Sequence, residues 1–161
     1  MNLHEIFRYH GSEDEYPIFY LGHTGKNSHT FGDYESTRYG AFFTDNPDVA
    51  KQYGNVKQYE IDPSNVIDLD ENNNIIYDFV QYLSDIDEYR NEFLDARGIM
   101  YGDFSAWHLF EDNVGKLFIR YLKKLNIDAV SFSEYIGEEL SNTIVVIDMS
   151  KIIGNQLSFD F

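Results

Sequence analysis

No cysteine occurs in the chain. Its absence excludes a disulfide framework, a thiolate metal site and a cysteine nucleophile, and it suits a reducing cytoplasm. No apolar run approaches the length of a membrane span, and the opening MNLHEIFRYHG carries no apolar core of a secretory signal. The expectation is a cytoplasmic protein with no membrane partner. Positive charge is scarce as well: 12 Lys and Arg stand against 28 Asp and Glu, a formal net charge of −16. Such a surface repels nucleic-acid phosphates unless a local basic patch intervenes. The acidity then reads either as simple solubility or as mimicry of nucleic acid toward a basic partner.

Several chemical signatures are missing too. No serine lies in a nucleophile elbow with its flanking glycines, and Gly22-His23-Thr24-Gly25 does not match a phosphate loop. No histidine pair has the helical spacing of metal ligands. Asp62, Asp68 and Asp70 lack the glycine and terminal glutamate of a calcium loop, so they read as a solvated turn and no metal is expected. Internal repeats and linkers are absent, and the one low-complexity tract is Asn72-Asn73-Asn74.

What the chain does have is apolar and aromatic bulk. Hydrophobic residues make up 43% of 161 residues, with 13 Tyr and 13 Phe, enough to fill the core of one domain spanning 1–161. Leu3–Tyr9 reads as a short opening helix and Pro17–Leu21 as a strand. From Gly22 to Gly32, three glycines and two histidines predict a loop whose backbone can approach a ligand closely. The most informative run is Arg38–Tyr53. Tyr39–Thr44 reads as an aromatic strand, Asn46 as a helix N-cap, Pro47 as the first helical residue and Asp48 as a charge matched to the helix dipole. The helix then ends on Tyr53, ahead of Gly54.

Val56–Ile61 and Val66–Leu69 read as strands on either side of a Pro63-Ser64-Asn65 turn. Apolar spacing predicts a helix from Ile75 through Phe93, a break over Gly98–Asp103, and a second helix over Ser105–Leu125. Trp107, Phe110, Val114, Leu117, Phe118, Tyr121 and Leu125 form the buried stripe of that second helix. Asp128–Phe132 and Thr143–Ile147 read as closing strands joined by an acidic loop, with Gln156–Phe159 as a further strand. Strands at both ends with helices between them predict an α+β domain.

Three places then remain for chemistry: His23 after a strand, the Arg38–Tyr53 run, and Glu134 just past a late strand. Together they resemble the ADP-ribosyltransferase fold, in the histidine–tyrosine–glutamate class of diphtheria-type toxins and poly(ADP-ribose) polymerases. The small bacterial and phage-encoded members are the most similar. Gly40-Ala41-Phe42-Phe43 leading to a helix that ends on Tyr53, eight residues after Asp45, carries the first half of the likeness. KKLNIDAVSF, a loop and TIVVID carry the second.

The resemblance implies a split β-sheet core with flanking helices, NAD as co-substrate, and transfer of ADP-ribose to a macromolecular acceptor with release of nicotinamide. A protein acceptor is favoured over nucleic acid because no basic track is visible. It further implies a toxin or phage–host conflict setting, with a partner or antitoxin protein. By the same likeness Glu134 is the catalytic acid, and His23 positions a ribose hydroxyl while the backbone at Thr24 pairs with the carboxamide. Tyr53 and Phe43 stack on nicotinamide, and Arg38, or Lys26, meets the pyrophosphate. Two alternatives stay open. Tyr9-His10-Gly11 matches the family's first motif more literally than Gly22-His23 does. The usual acid position at the start of the last strand holds Thr143, which leaves Glu134, Glu139 or no acid at all. The competing class is a silent NAD-binding or acidic nucleic-acid-mimic protein.

Overall fold

The structure is a computed structural model that describes residues 19–21, 28–31, 34–52, 57–102 and 106–153. The first half of the chain is mostly strand: β1 (Phe19–Leu21), β2 (Ser28–Phe31), β3 (Tyr34–Thr37), β4 (Ala41–Thr44), the short helix α1 (Pro47–Lys51), β5 (Lys57–Ile61) and β6 (Val66–Asp68). The middle is helical: α2 (Asn74–Ser84), a 3-10 turn at Asp87–Tyr89, α3 (Arg90–Tyr101), a second 3-10 segment at Ala106–Phe110, and α4 (Asp112–Lys124). β7 (Ala129–Ile136), β8 (Glu139–Val146), a 3-10 turn at Met149–Lys151 and β9 (Ile152–Ile153) follow. This is the α+β segregation that the sequence predicts. No helix among the described residues is long and apolar enough to cross a membrane.

Seven strands pair in the order β6-β7-β8-β4-β1-β5-β9, and β2 and β3 form a separate antiparallel ribbon. Every pairing in the large sheet is antiparallel except β6 with β7. Among the described residues β1 and β4 share the register pair Tyr20 with Thr44. The ribbon is a correction: part of the predicted 22–32 loop is strand. Ser28–Phe31 pairs in register with Tyr34–Thr37 despite its polar composition.

Directly opposed residues share a face, which sorts the core into two sides. Val130, Phe132, Val145 and Phe42 face the helices, where Phe79, Leu83, Phe110, Phe118 and Leu122 complete one cluster. Ala41, Phe43, Ala129, Ile144 and Val146 face the other way, onto Tyr59 and Ile61. At the chain's return from α4, Asp128 ties down the turn before β6. Its carboxylate accepts from Ser64 N, Ser64 Oγ and Asn65 N at 3.0, 2.7 and 3.1 Å. Burial pushes its pKa up, but these hydrogen bonds and the charge of Lys151 outweigh that, and the net shift is downward.

Both predicted helices are interrupted. Gly98 lies inside α3 instead of breaking a helix, and Ile86 adopts an extended conformation that ends the first helical stretch early. The second stretch breaks at Glu111, which is extended and forms an antiparallel bridge with Arg38. Tyr39 N donates to the Phe110 carbonyl at 2.8 Å, pulling the chain out of helical register, and Asp112 follows with a φ of 53°. Gly115 makes this corner possible. A Cβ there would lie 2.3 Å from the carbonyl carbon and oxygen of Phe110. Leu125, expected in the stripe, is exposed, and Leu122 takes the buried position.

Asp68 is also corrected, because it is not part of a solvated turn: it is buried and accepts from Ser131 Oγ at 3.1 Å, which pins β6 to β7. Asp70 is exposed in the turn that follows β6, as expected, and accepts from Ser133 N at 2.7 Å.

Candidate functional site

β4 ends at Thr44, where the chain turns into α1. Asn46 caps that helix as the sequence predicts: its side chain accepts from Asp48 N at 3.0 Å, with Pro47 in the first turn. The same residue holds β8 through Nδ2, which donates to the Leu140 carbonyl at 3.0 Å. Asp45 reinforces the junction by accepting from Asn142 N and Nδ2 at 3.0 and 2.8 Å. The cap thus fixes where the polar ends of β4 and β8 lie relative to each other.

A line of hydroxyls crosses these strands to a carboxylate. Asn46 N donates to Thr44 Oγ1 (3.1 Å), Thr44 Oγ1 lies 2.6 Å from Ser141 Oγ, and Ser141 Oγ lies 2.8 Å from Thr143 Oγ1. Thr143 Oγ1 donates to Glu134 Oε1 at 3.1 Å. An amide can only donate, so with Glu134 ionised each hydroxyl donates to the next and the chain ends on the carboxylate. Such a directed line polarises its members cooperatively.

Glu134 itself is half-buried, and that burial pushes its pKa above the ordinary glutamate value. The Thr143 hydrogen bond and the positive charge of Arg38 oppose that rise without cancelling it. Arg38 is held by aromatic faces, its guanidinium 5.1 Å from the Phe42 ring centre and 4.7 Å from that of Trp107. Cation–π contacts of this kind contribute about 0.5–2 kcal/mol, more as water is excluded. Trp107 in turn stacks on His108, with centroids 3.8 Å apart. The result is a carboxylate of raised proton affinity and a cation fixed by rings on one side of the sheet. Such a pair can grip a hydroxyl and stabilise positive charge developing near it, while the guanidinium meets an anionic group.

Of the residues singled out from sequence, the fold brings together Glu134 and Arg38. Phe43 is a correction. It is 1% exposed and packs edge-on against Tyr59 (5.3 Å, 69°) in the cluster on the face opposite Glu134, so it offers no ring to a ligand. Glu134 lies inside β7 and not beyond it, because the strand runs on to Ile136. A tight turn with positive φ at Gly137 then starts β8 at Glu139, in the manner of a two-residue hairpin with glycine at its first position. Glu139 is exposed at the hairpin base and accepts from Asn46 Nδ2 at 3.3 Å. Thr143, at the position where the resemblance expects an acid, donates its hydroxyl to Glu134. His23, Thr24, Lys26, Tyr53 and the rival His10 lie outside the described residues, as do the expected helix over 3–9 and strand over 156–159.

Sequence reasoning missed Thr44, Ser141 and Trp107. A signal existed for the hydroxyls: Ser141 and Thr143 alternate on one face of a strand that otherwise turns apolar. Nothing local marks their convergence with Thr44, 97 positions away from Ser141. Comparison of the chain with protein-family models, with curated proteins and with solved structures finds no match.

Proposed function

We propose that the chain is an ADP-ribosyltransferase of the α+β ADP-ribosyltransferase-like fold, which transfers ADP-ribose from NAD to a macromolecular acceptor and releases nicotinamide. The observation that carries this reading is Glu134. It is a half-buried carboxylate clamped by Thr143 beside the ring-held guanidinium of Arg38, on the strand where the resemblance calls for the acid. Cleavage of the nicotinamide–ribose bond passes through an oxocarbenium-like state, as in glycoside hydrolysis. Nicotinamide leaves with the bonding electron pair, and the acceptor nucleophile adds to the anomeric carbon and loses its proton. Glu134 grips a ribose hydroxyl and stabilises the developing positive charge. Arg38 binds the pyrophosphate. His23, Thr24 and Tyr53 complete the site in the roles the resemblance implies, and Phe43 has no part in it.

The net charge of −16 favours a protein acceptor over nucleic acid. The same acidity favours the second reading, in which the protein is a silent NAD binder or an acidic mimic that occupies a basic partner. A cytoplasmic effector in a toxin or phage–host conflict, with a partner or antitoxin protein, follows from the resemblance.

The test is incubation with NAD, with nicotinamide release followed by chromatography and host proteins and RNA searched by mass for ADP-ribose adducts. Glu134→Gln keeps the shape and removes the charge, and is expected to lower turnover at least about 100-fold with little change in NAD affinity. Release without adducts would mean hydrolysis. Neither release nor NAD binding by the wild type would sink the enzyme reading.

A further inference from the structure

A groove of about 490 Å³ runs between α3 and α4, separate from the Glu134 cluster. Leu94, Ile99 and Val114 give its mixed lining an apolar part, and Leu94 remains 47% exposed. At Gly98 the groove is open: a Cβ built there meets no atom within 4 Å. The groove also carries negative charge, from Asp95 and Asp112 at the surface and from Glu111 beneath.

Glu111 is the unusual member. It is 6% exposed and lines the groove, with Oε1 bonded to His108 Nδ1 at 2.8 Å, while its second oxygen, Oε2, is buried with no hydrogen-bond partner. Buried polar atoms are nearly always paired, and an unpaired one costs about 1–3 kcal/mol, more when it belongs to a charged group. The backbone leaves Glu111 little freedom to relieve this. It is bridged to Arg38, and its carbonyl accepts from Gly115 N at 2.8 Å. The carboxylate is therefore held in place beneath the groove with Oε2 shut off from water, and it acts on an occupant of the groove through its uncompensated negative charge.

The geometry points to this groove as a binding site for an arginine side chain presented by a basic segment of a partner protein. A guanidinium supplies several donors in a planar fork suited to a carboxylate, and its aliphatic stem matches the apolar part of the lining. Asp95 and Asp112 add long-range attraction. A protein segment fits better than a free small cation because Leu94, exposed at the edge of the groove, would cover an apolar residue that flanks the arginine. Tyr101, farther along the same helix, carries the chain's own Arg97 guanidinium 5.9 Å from its ring centre.

Amide NMR titrations test this without reference to NAD, using N-acetyl-arginine amide, its neutral norleucine counterpart, spermidine, and a short amidated peptide with one arginine between leucines. The arginine amide should give saturable shifts at Gly98 and Asn113, the peptide should bind more tightly, and the norleucine amide should give none. Glu111→Gln retains an acceptor for His108 but loses the charge, and should weaken binding by about tenfold or more. Gly98→Leu projects into open space, so the helix stays folded while the groove is filled and binding is lost. The proposal is overturned if the arginine probes give no saturable shift or if the norleucine amide binds equally. It is also overturned if spermidine binds more tightly than the peptide, or if Gly98→Leu folds and binds like the wild type.

Discussion

Replacing Thr143 by valine tests whether the hydroxyl line supports a charged Glu134. The branched shape is kept and one oxygen is removed. Two links disappear, the donor to Glu134 Oε1 at 3.1 Å and the acceptor for Ser141 at 2.8 Å. Loss of the second costs about 1 kcal/mol at any pH, because Ser141 is neutral. Loss of the first depends on pH. A hydrogen bond to an ionised group is worth about 1.5–3 kcal/mol, and it is missed only while Glu134 is ionised. The sign follows from linkage. Burial already raises the Glu134 pKa, so the native state holds this proton more tightly than the unfolded chain. The group's contribution to stability is therefore full below the unfolded value and lost as pH rises through the folded one. Thr143→Val raises the folded pKa further and deepens that loss. Urea denaturation should show valine destabilising by about 1 kcal/mol near pH 4 and by about 2.5–4 kcal/mol near pH 8. Carbon NMR of the Glu134 carboxyl should show its titration moved to higher pH in the variant. An equal loss at both pH values, with the titration unmoved, would refute the directed hydroxyl line.

Two glycines in helices should respond oppositely to alanine. Gly98→Ala meets nothing within 4 Å and should stabilise the fold by about 0.5–1 kcal/mol, whereas Gly115→Ala places Cβ 2.3 Å from the Phe110 carbonyl and should cost about 2 kcal/mol or more, both read by urea midpoint. Asp128→Asn should destabilise near neutral pH. Because the folded pKa of Asp128 is lowered, the stability it contributes is present above the unfolded value and lost as pH falls through the folded one, so variant and wild type should converge in strong acid. Parallel curves down to that limit would assign its role to packing.

Much of the local structure was legible in the chain. The Asn46-Pro47-Asp48 cap is a short-range device, and its side-chain bond to Asp48 N depends on neighbours two positions away. Strands β4, β5 and β6 follow from aromatic and β-branched runs with turn residues between them. The helix boundaries were less legible, because the break at Glu111 depends on Arg38, far away in sequence, claiming the edge of that segment. The extension of β7 to Ile136 was hidden by charge. Glu134, Glu138 and Glu139 read as a loop, yet the hairpin leaves Glu138 and Glu139 in solvent and gives Glu134 a hydroxyl partner.

For the candidate site, the resemblance nominated Glu134 by its place after a late strand and Arg38 by its guanidinium, and the structure brings the two together. Composition determined the acidity and the lack of thiol chemistry. Which face each side chain occupies was decided only by the tertiary structure. Phe42 and Phe43 are adjacent and chemically identical, yet strand alternation sets one beneath Arg38 and seals the other in the opposite core. The register of β4 on β8 and of β8 on β7 also aligned Thr44, Ser141 and Thr143 behind Glu134. Register is a long-range property, set by how whole strands bury their apolar faces, so no short stretch of the chain contains it.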